Sequence, residues 1–389
     1  MTASAPAPFD SGPYGRVRPA LRLARPDPHW LGHRALALAA IAWVPLAVLA
    51  AIQGLALTAN TRESQLLDIS AYVRYLVAIP TFVVAEAVCL PQLGRIAHQF
   101  LDAGLVAEAE RPRYDALLAS TRALLVKPEI ELALLMVAYI GTLATSETLY
   151  PAAVSTWVAP VRDGTRSWSL AGWWLLLVSQ PLYELLIAMW LWRVVLWARL
   201  LWKLSRLNLR LLPSHPDLTG GLSFVATSLR GFAPVAFGLG AAVAAGVAQA
   251  VFVDGRPVEG FKLPVAGLVI LVLALFALPL LVFVPPLQRA RIGGIFAYGE
   301  LAAAMGRQFE RRWLGRPGAV GDEALSVQDF SATTDLYQVV SNVGAMRLLP
   351  FNVRMLIPLV VATLLPFVPI ALAILPLKEL LSLAAKLIL

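Results

Sequence analysis

The chain has 389 residues, 59% of them hydrophobic and only 14% charged, with a formal net charge of +8 and a mean hydropathy of +0.71. Soluble domains carry about a quarter charged residues, so this composition excludes a fully water-facing surface and requires lipid to cover the apolar excess. A single cysteine, Cys89, excludes an intramolecular disulfide and a multi-cysteine zinc site.

Residues 1–34 are rich in Pro and Arg and lack the short apolar core and small-residue cleavage site of a secretory signal. They are expected to form a flexible basic arm. Seven apolar stretches follow, each long enough to cross about 30 Å of hydrocarbon at roughly 1.5 Å per helical residue. They run Ala35–Leu57, Tyr72–Leu93, Ile130–Tyr150, Leu170–Trp192, Gly231–Val253, Leu263–Val284 and Met355–Leu377. Lipid offers backbone groups no partners, so spans of this length are read as helices. The expected fold is an all-α polytopic transmembrane bundle of about seven spans, the first six within residues 35–286. Residues 94–129, 193–230 and 287–354 are expected to form amphipathic helices on one side of the membrane. Residues 355–389 hold the seventh span and an amphipathic tail on the other side.

Local signals refine this order. A break is expected near Pro112, and the fourth span is expected to continue past Trp192, because RVVLWARLLWKL repeats apolar and basic positions at helical spacing. Trp168, Trp173 and Trp174 at its outer end and Trp190, Trp192, Trp197 and Trp202 at its inner end match two interfacial aromatic belts. Gly238, Ala242 and Gly246 in the fifth span form a small-residue stripe suited to close helix approach, within the chain or in a homo-oligomer. Segment 287–354 divides at LGRPGAVGDEAL, beyond which Ser326 and Asp329 resemble a helix-starting capping box. Pro358, Pro366, Pro369 and Pro376 predict a kinked seventh span.

Lys and Arg number 24 on the side of the amino arm and seven on the other, with Arg74 just inside the second span. The positive-inside rule then places the amino end in the cytoplasm and the carboxyl end outside. Beside a membrane, this basic surplus is suited to anionic lipid head groups and not to nucleic acid.

Ionisable groups at membrane depth are the strongest functional pointers, since each costs about 2.5–3.5 kcal/mol at a span centre. Arg74 and Glu147 lie at matching depth and opposite charge, which suits an ion pair between neighbouring spans. Glu86 and Glu184 lie roughly 10–12 Å into the membrane, with no base in the spans at that depth. If they face each other, mutual repulsion favours a shared proton or a bound cation. The other reading gives each a private hydrogen-bond partner, or an arginine reaching in from Arg95 or Arg193. Pro80 and Pro181 precede them and are expected to free backbone carbonyls nearby.

HPDLTGGL holds His215, Asp217, Gly220 and Gly221 in a turn signal, with metal binding or proton shuttling as the chemical alternative. The chain carries no phosphate loop, HExxH, GxSxG or kinase signature, and neither a metal nor a cofactor is expected. The expected function is a channel or transporter for a proton, cation or small solute. A scaffold or sensor that binds a partner through its cytoplasmic helices, and an enzyme acting on lipid head groups, are the alternatives.

HPDLTGGLSF, FAYGELAAAMGRQFERRW from Phe296 to Trp313 and DLYQVVSNVGAMRLLPF from Asp335 to Phe351 resemble motifs of a family of uncharacterised bacterial polytopic membrane proteins. The resemblance covers about the second half of the chain. It implies a bacterial inner membrane and brings no activity or site residue with it.

Overall fold

The computed structural model describes residues 28–149, 154–162, 165–314 and 329–374. The basic arm, Ser326 of the expected capping box, Pro376 and the carboxyl tail lie outside these residues. Nine helices order the rest: α1 (Pro28–Ile52), α2 (Ile69–Asp102), α3 (Arg111–Leu125), α4 (Pro128–Leu149), α5 (Leu170–Leu204), α6 (Ser223–Val253), α7 (Val258–Trp313), α8 (Asp329–Gly344) and α9 (Val353–Ile374). All except α3 and α8 are long and apolar enough to cross a membrane, which gives seven spans. The only described strands, β1 (Val161–Arg162) and β2 (Thr165–Arg166), form a small hairpin between α4 and α5.

Below, the end of the bundle where α1 begins is called proximal and the end where it finishes distal. α1 stops at Ile52, earlier than its apolar run, because Gly54 turns the chain at φ +71° and the Leu55 N–H closes back on the Ala50 carbonyl. In the spanning windows of α5 and α6, 56% of residues are buried within the protein, against 11% in α4. α5 and α6 therefore form the centre and α4 belongs to the lipid-facing rim.

Two expectations need correction. Pro112 does not break a helix: it sits in the first turn of α3, where a missing N–H costs nothing, and the break falls at Gly104 with φ +64°. Trp190 and Trp197 do not belong to an aromatic belt. They are buried in the core because α5 runs on to Leu204 inside protein, with α3 laid against it by Tyr114, Leu118, Thr121 and Leu125.

The small-residue stripe of α6 is used inside the chain. Gly238 lies against the Phe82 ring of α2, while Gly246 has open space where a side chain would begin. The tightest approach is at Gly240, which the stripe did not include: a Cβ there would stand 2.2 Å from the Thr363 carbonyl of α9. α9 narrows to a 3₁₀ turn at Leu365–Phe367 around Pro366, in line with the proline signal.

At the proximal end α7 continues beyond a 3₁₀ stretch at Leu278–Phe283 to Trp313 and pairs with α8 through Phe330, whose ring lies 5.0 Å from those of Phe309 and Trp313. Gly240→Val must push α6 and α9 apart and should cost about 1–3 kcal/mol, read as a lower unfolding temperature in detergent. Gly246→Ala should change stability by less than about 0.5 kcal/mol.

Candidate functional site

Glu86 does not face Glu184. Its carboxylate is held between two guanidiniums, Arg34 Nη1 at 2.9 Å and Arg193 Nη2 at 2.7 Å, which join α2 to α1 and α5. Arg193 is only 2% exposed and also stacks its Cζ 4.8 Å from the Trp190 ring centroid. The two carboxylates are kept apart by helix geometry. Glu184 and Arg193 are nine residues apart on α5, about half a revolution at 3.6 residues per turn, so the face that meets Glu86 is opposite the one carrying Glu184. Arg193 supplies the base that the spans seemed to lack, because α5 continues past it and burial replaces the expected interface.

Glu184 lies in the seam between α4 and α5, its Oε2 close to Gly141, where the absent side chain leaves room. Its Oε1 accepts a 3.0 Å hydrogen bond from Gln180 Nε2. The Gln180 carbonyl in turn accepts from Arg74 Nη1 and from the Tyr75 hydroxyl, both at 3.0 Å. Arg74 also donates to Ser70 and stands 5.9 Å from the Tyr183 ring centroid. The Glu147 side chain, the expected partner of Arg74, lies outside the described residues. A polar chain thus runs from Arg74 through Gln180 to Glu184, which is fourteen residues, or about 21 Å, from the distal start of α5.

The backbone around this chain is irregular in three helices. π-helical segments occupy Val73–Ala78 in α2, Leu175–Ser179 in α5 and Gln249–Val253 in α6. Such segments are rare and recur at functional sites. The first contains Arg74 and Tyr75, the second ends next to Gln180, and the third begins at Gln249, whose Oε1 accepts the Ile69 N–H at 3.0 Å. Pro80 and Pro181 follow the first two by two residues. Pro181 has no N–H for the Leu177 carbonyl, and the Tyr139 hydroxyl of α4 donates to it instead at 2.9 Å.

Distal to Arg74 the bundle opens into a cavity of about 360 Å³, lined in part by Arg62, Asp68, Arg74, Gln249, Asp254 and Arg256. Both lining carboxylates have partners. Asp68 caps Ala71 N with Oδ1 and accepts Trp157 Nε1 with Oδ2, and Asp254 Oδ1 takes Arg62 Nε at 2.9 Å and Nη2 at 2.8 Å. On the other side of the chain, Phe82, Leu186 and Trp190 are packed without exposure to solvent.

His215, Asp217, Gly220 and Gly221 come together in one turn at the proximal end, away from this cavity. Asp217 accepts the N–H groups of Thr219, Gly221 and Ser223 at 2.8–3.1 Å, and His215 Nδ1 lies 2.8 Å from its Oδ1. Gly220 and Gly221 adopt φ of +64° and +92°, and Leu218 is held at +58° while its carbonyl accepts Arg347 N–H. Met346 packs over Gly220 and Tyr298 meets Ser214, so this turn joins the α7–α8 layer to the bundle. With three loop N–H groups on its carboxylate, Asp217 holds this turn together.

Screening the spans for charge alone overlooked Gln180 and Gln249, although an amide in an apolar run is itself a signal. Arg193 is one of the two arginines that the alternative reading offered to Glu86 and Glu184, whereas Arg34 was hidden by its position at an apparent span end. The lining by Arg62, Asp254 and Arg256 brings together loops about 190 residues apart, which no local pattern reveals. The chain matches no family model, no curated protein and no solved structure.

Arg193→Met leaves Glu86 with one guanidinium and should destabilise the protein by about 3 kcal/mol, measured by unfolding in detergent. Burial alone would raise the Asp217 carboxyl, but the N–H groups of Thr219, Ser223 and Gly221 outweigh it and hold it at about 2, below the ordinary 3.8. The stabilisation is therefore complete above pH 3.8 and is lost as pH falls toward 2. Hydrogen exchange at Thr219, Gly221 and Ser223 should accelerate over that interval, and Asp217→Ala should show the fast exchange already at neutral pH.

Proposed function

We propose that the protein carries a small polar solute or ion across a bacterial inner membrane, with its amino end in the cytoplasm and the distal cavity facing outward. The observation that carries this reading is the cavity of about 360 Å³ whose floor continues through Arg74 and Gln180 to Glu184 near mid-membrane. A polar-lined space leading to a hydrogen-bonded carboxylate, with packed aromatic side chains beyond it, suits a pathway open on one side. Intramembrane carboxylates of this kind mark ion and proton routes, and irregular backbone is tolerated at membrane depth where it lines a cavity. The bias of Lys and Arg toward the proximal side supports the orientation.

Glu184 is the residue on which coupling rests. Glu86 has a different task, because two guanidiniums already neutralise it and tie three helices together.

Purified protein in liposomes should conduct or take up solute under a pH gradient, and Glu184→Gln should reduce that flux at least about tenfold, the worth of one charge-assisted hydrogen bond, without lowering the unfolding temperature. Flux that is unaffected by Glu184→Gln would remove the residue from the pathway. No flux above empty liposomes for protons, common cations or small organic solutes would overturn the transport reading.

A further inference from the structure

The distal cavity has a donor surplus that specifies its ligand. Asp68 accepts from Ala71 on one oxygen and Trp157 on the other, and Asp254 takes both Arg62 contacts on Oδ1, so three of the four acidic oxygens are engaged and the three lining arginines Arg62, Arg74 and Arg256 outnumber the two carboxylates. The donors are less fully used. Gln249 accepts through Oε1, and its Nε2 has no partner among the described residues. Arg256 is exposed at the cavity lining, and its guanidinium likewise meets no acceptor among the described residues. Thr156 Oγ1 accepts from Ala159 N and retains its own hydrogen. Arg74 adds positive charge at the floor, and Ala250, Phe261 and Gly246 supply apolar wall.

Five donors of a guanidinium and two of an amide, in a cavity whose arginines outnumber its carboxylates, suit an oxyanion. The volume lies at the small end of ligand sites, which run from about 300 to 1,000 Å³. It accommodates a small metabolite and not an extended chain. The Arg62–Asp254 pair spans the rim between the α1–α2 and α6–α7 loops, so a ligand oxyanion at Arg256 sits beside a contact that links the two sides of the opening.

We propose that this cavity binds a small oxyanion-bearing molecule, a carboxylate or phosphate, through Arg256 and Gln249. The proposal rests on the transport reading for its purpose but not for its test, because binding is measured without flux.

The experiment uses the full chain in nanodiscs of phosphatidylcholine and measures equilibrium binding of radiolabelled succinate and radiolabelled phosphate, with radiolabelled choline and glucose as cationic and neutral probes. Saturable binding of succinate or phosphate that weakens at least about tenfold in both Arg256→Gln and Gln249→Leu supports the proposal. A second set of nanodiscs containing phosphatidylglycerol separates the sources of the oxyanion. If the anionic lipid displaces the soluble probe in wild type and not in Arg256→Gln, the lipid head group shares the site and the oxyanion assignment stands. Preference for choline or glucose overturns it, as does oxyanion binding that survives both substitutions or the absence of binding by every probe. Absent binding with flux intact defeats this inference alone, whereas binding with no flux defeats the transport reading alone.

Discussion

A carboxylate or guanidinium placed alone in hydrocarbon is expelled or neutralised, and the arrangement of α1, α2 and α5 follows from that constraint. Glu86 takes one guanidinium on each oxygen, from Arg34 and Arg193, and Arg193 spreads its remaining charge over the Trp190 ring. The contact fixes the rotation of three helices together, since turning any one by a single residue, about 100°, would carry its charged group out of reach. Pairs of this kind need not add net stability over a well-packed apolar isostere, but they penalise misassembly severely. The clamp therefore acts chiefly on which helix faces meet.

Backbone groups obey the same rule. Pro45 leaves the Ile41 carbonyl of α1 without its helical donor, and Trp174 Nε1 of α5 reaches it at 3.1 Å. Tyr139 does the same for Leu177 after Pro181, and Ser179 Oγ bonds the Ala42 carbonyl at 2.7 Å. Prolines thus create acceptors at chosen depths, and polar side chains of neighbouring spans are drawn to them. This gives α5 specific contacts with α1 and α4 at the same level where its own backbone widens into the π-helical segment beside Gln180.

The spans were legible in the sequence because the length of an apolar run responds directly to bilayer thickness; their ends were less so, since Gly54 stops α1 before the hydrophobicity does, while α2 and α7 run on past their apolar stretches to Asp102 and Trp313. The site was legible in part. Glu86 and Glu184 stood out as buried carboxylates, but the half-revolution between Glu184 and Arg193 had to be applied to see that they serve different partners. Gln180 was readable as an amide in a span and was passed over, while the meeting of Arg62 with Asp254 depends on how loops fold over the distal rim. The turn at His215 was readable in nearly all its parts, because Pro216, Asp217 and two glycines determine local geometry with little help from elsewhere.

α7 extends for 56 residues, roughly 84 Å if helical throughout, with one tightened stretch at Leu278–Phe283 between its membrane part and the 30-residue helix Val284–Trp313. That second part is a lever arm of roughly 45 Å. A tilt of about 10° at its base would sweep Trp313 and the docked α8 through roughly 8 Å, so an ångström-scale adjustment in the bilayer reads out as a large displacement at the far tip.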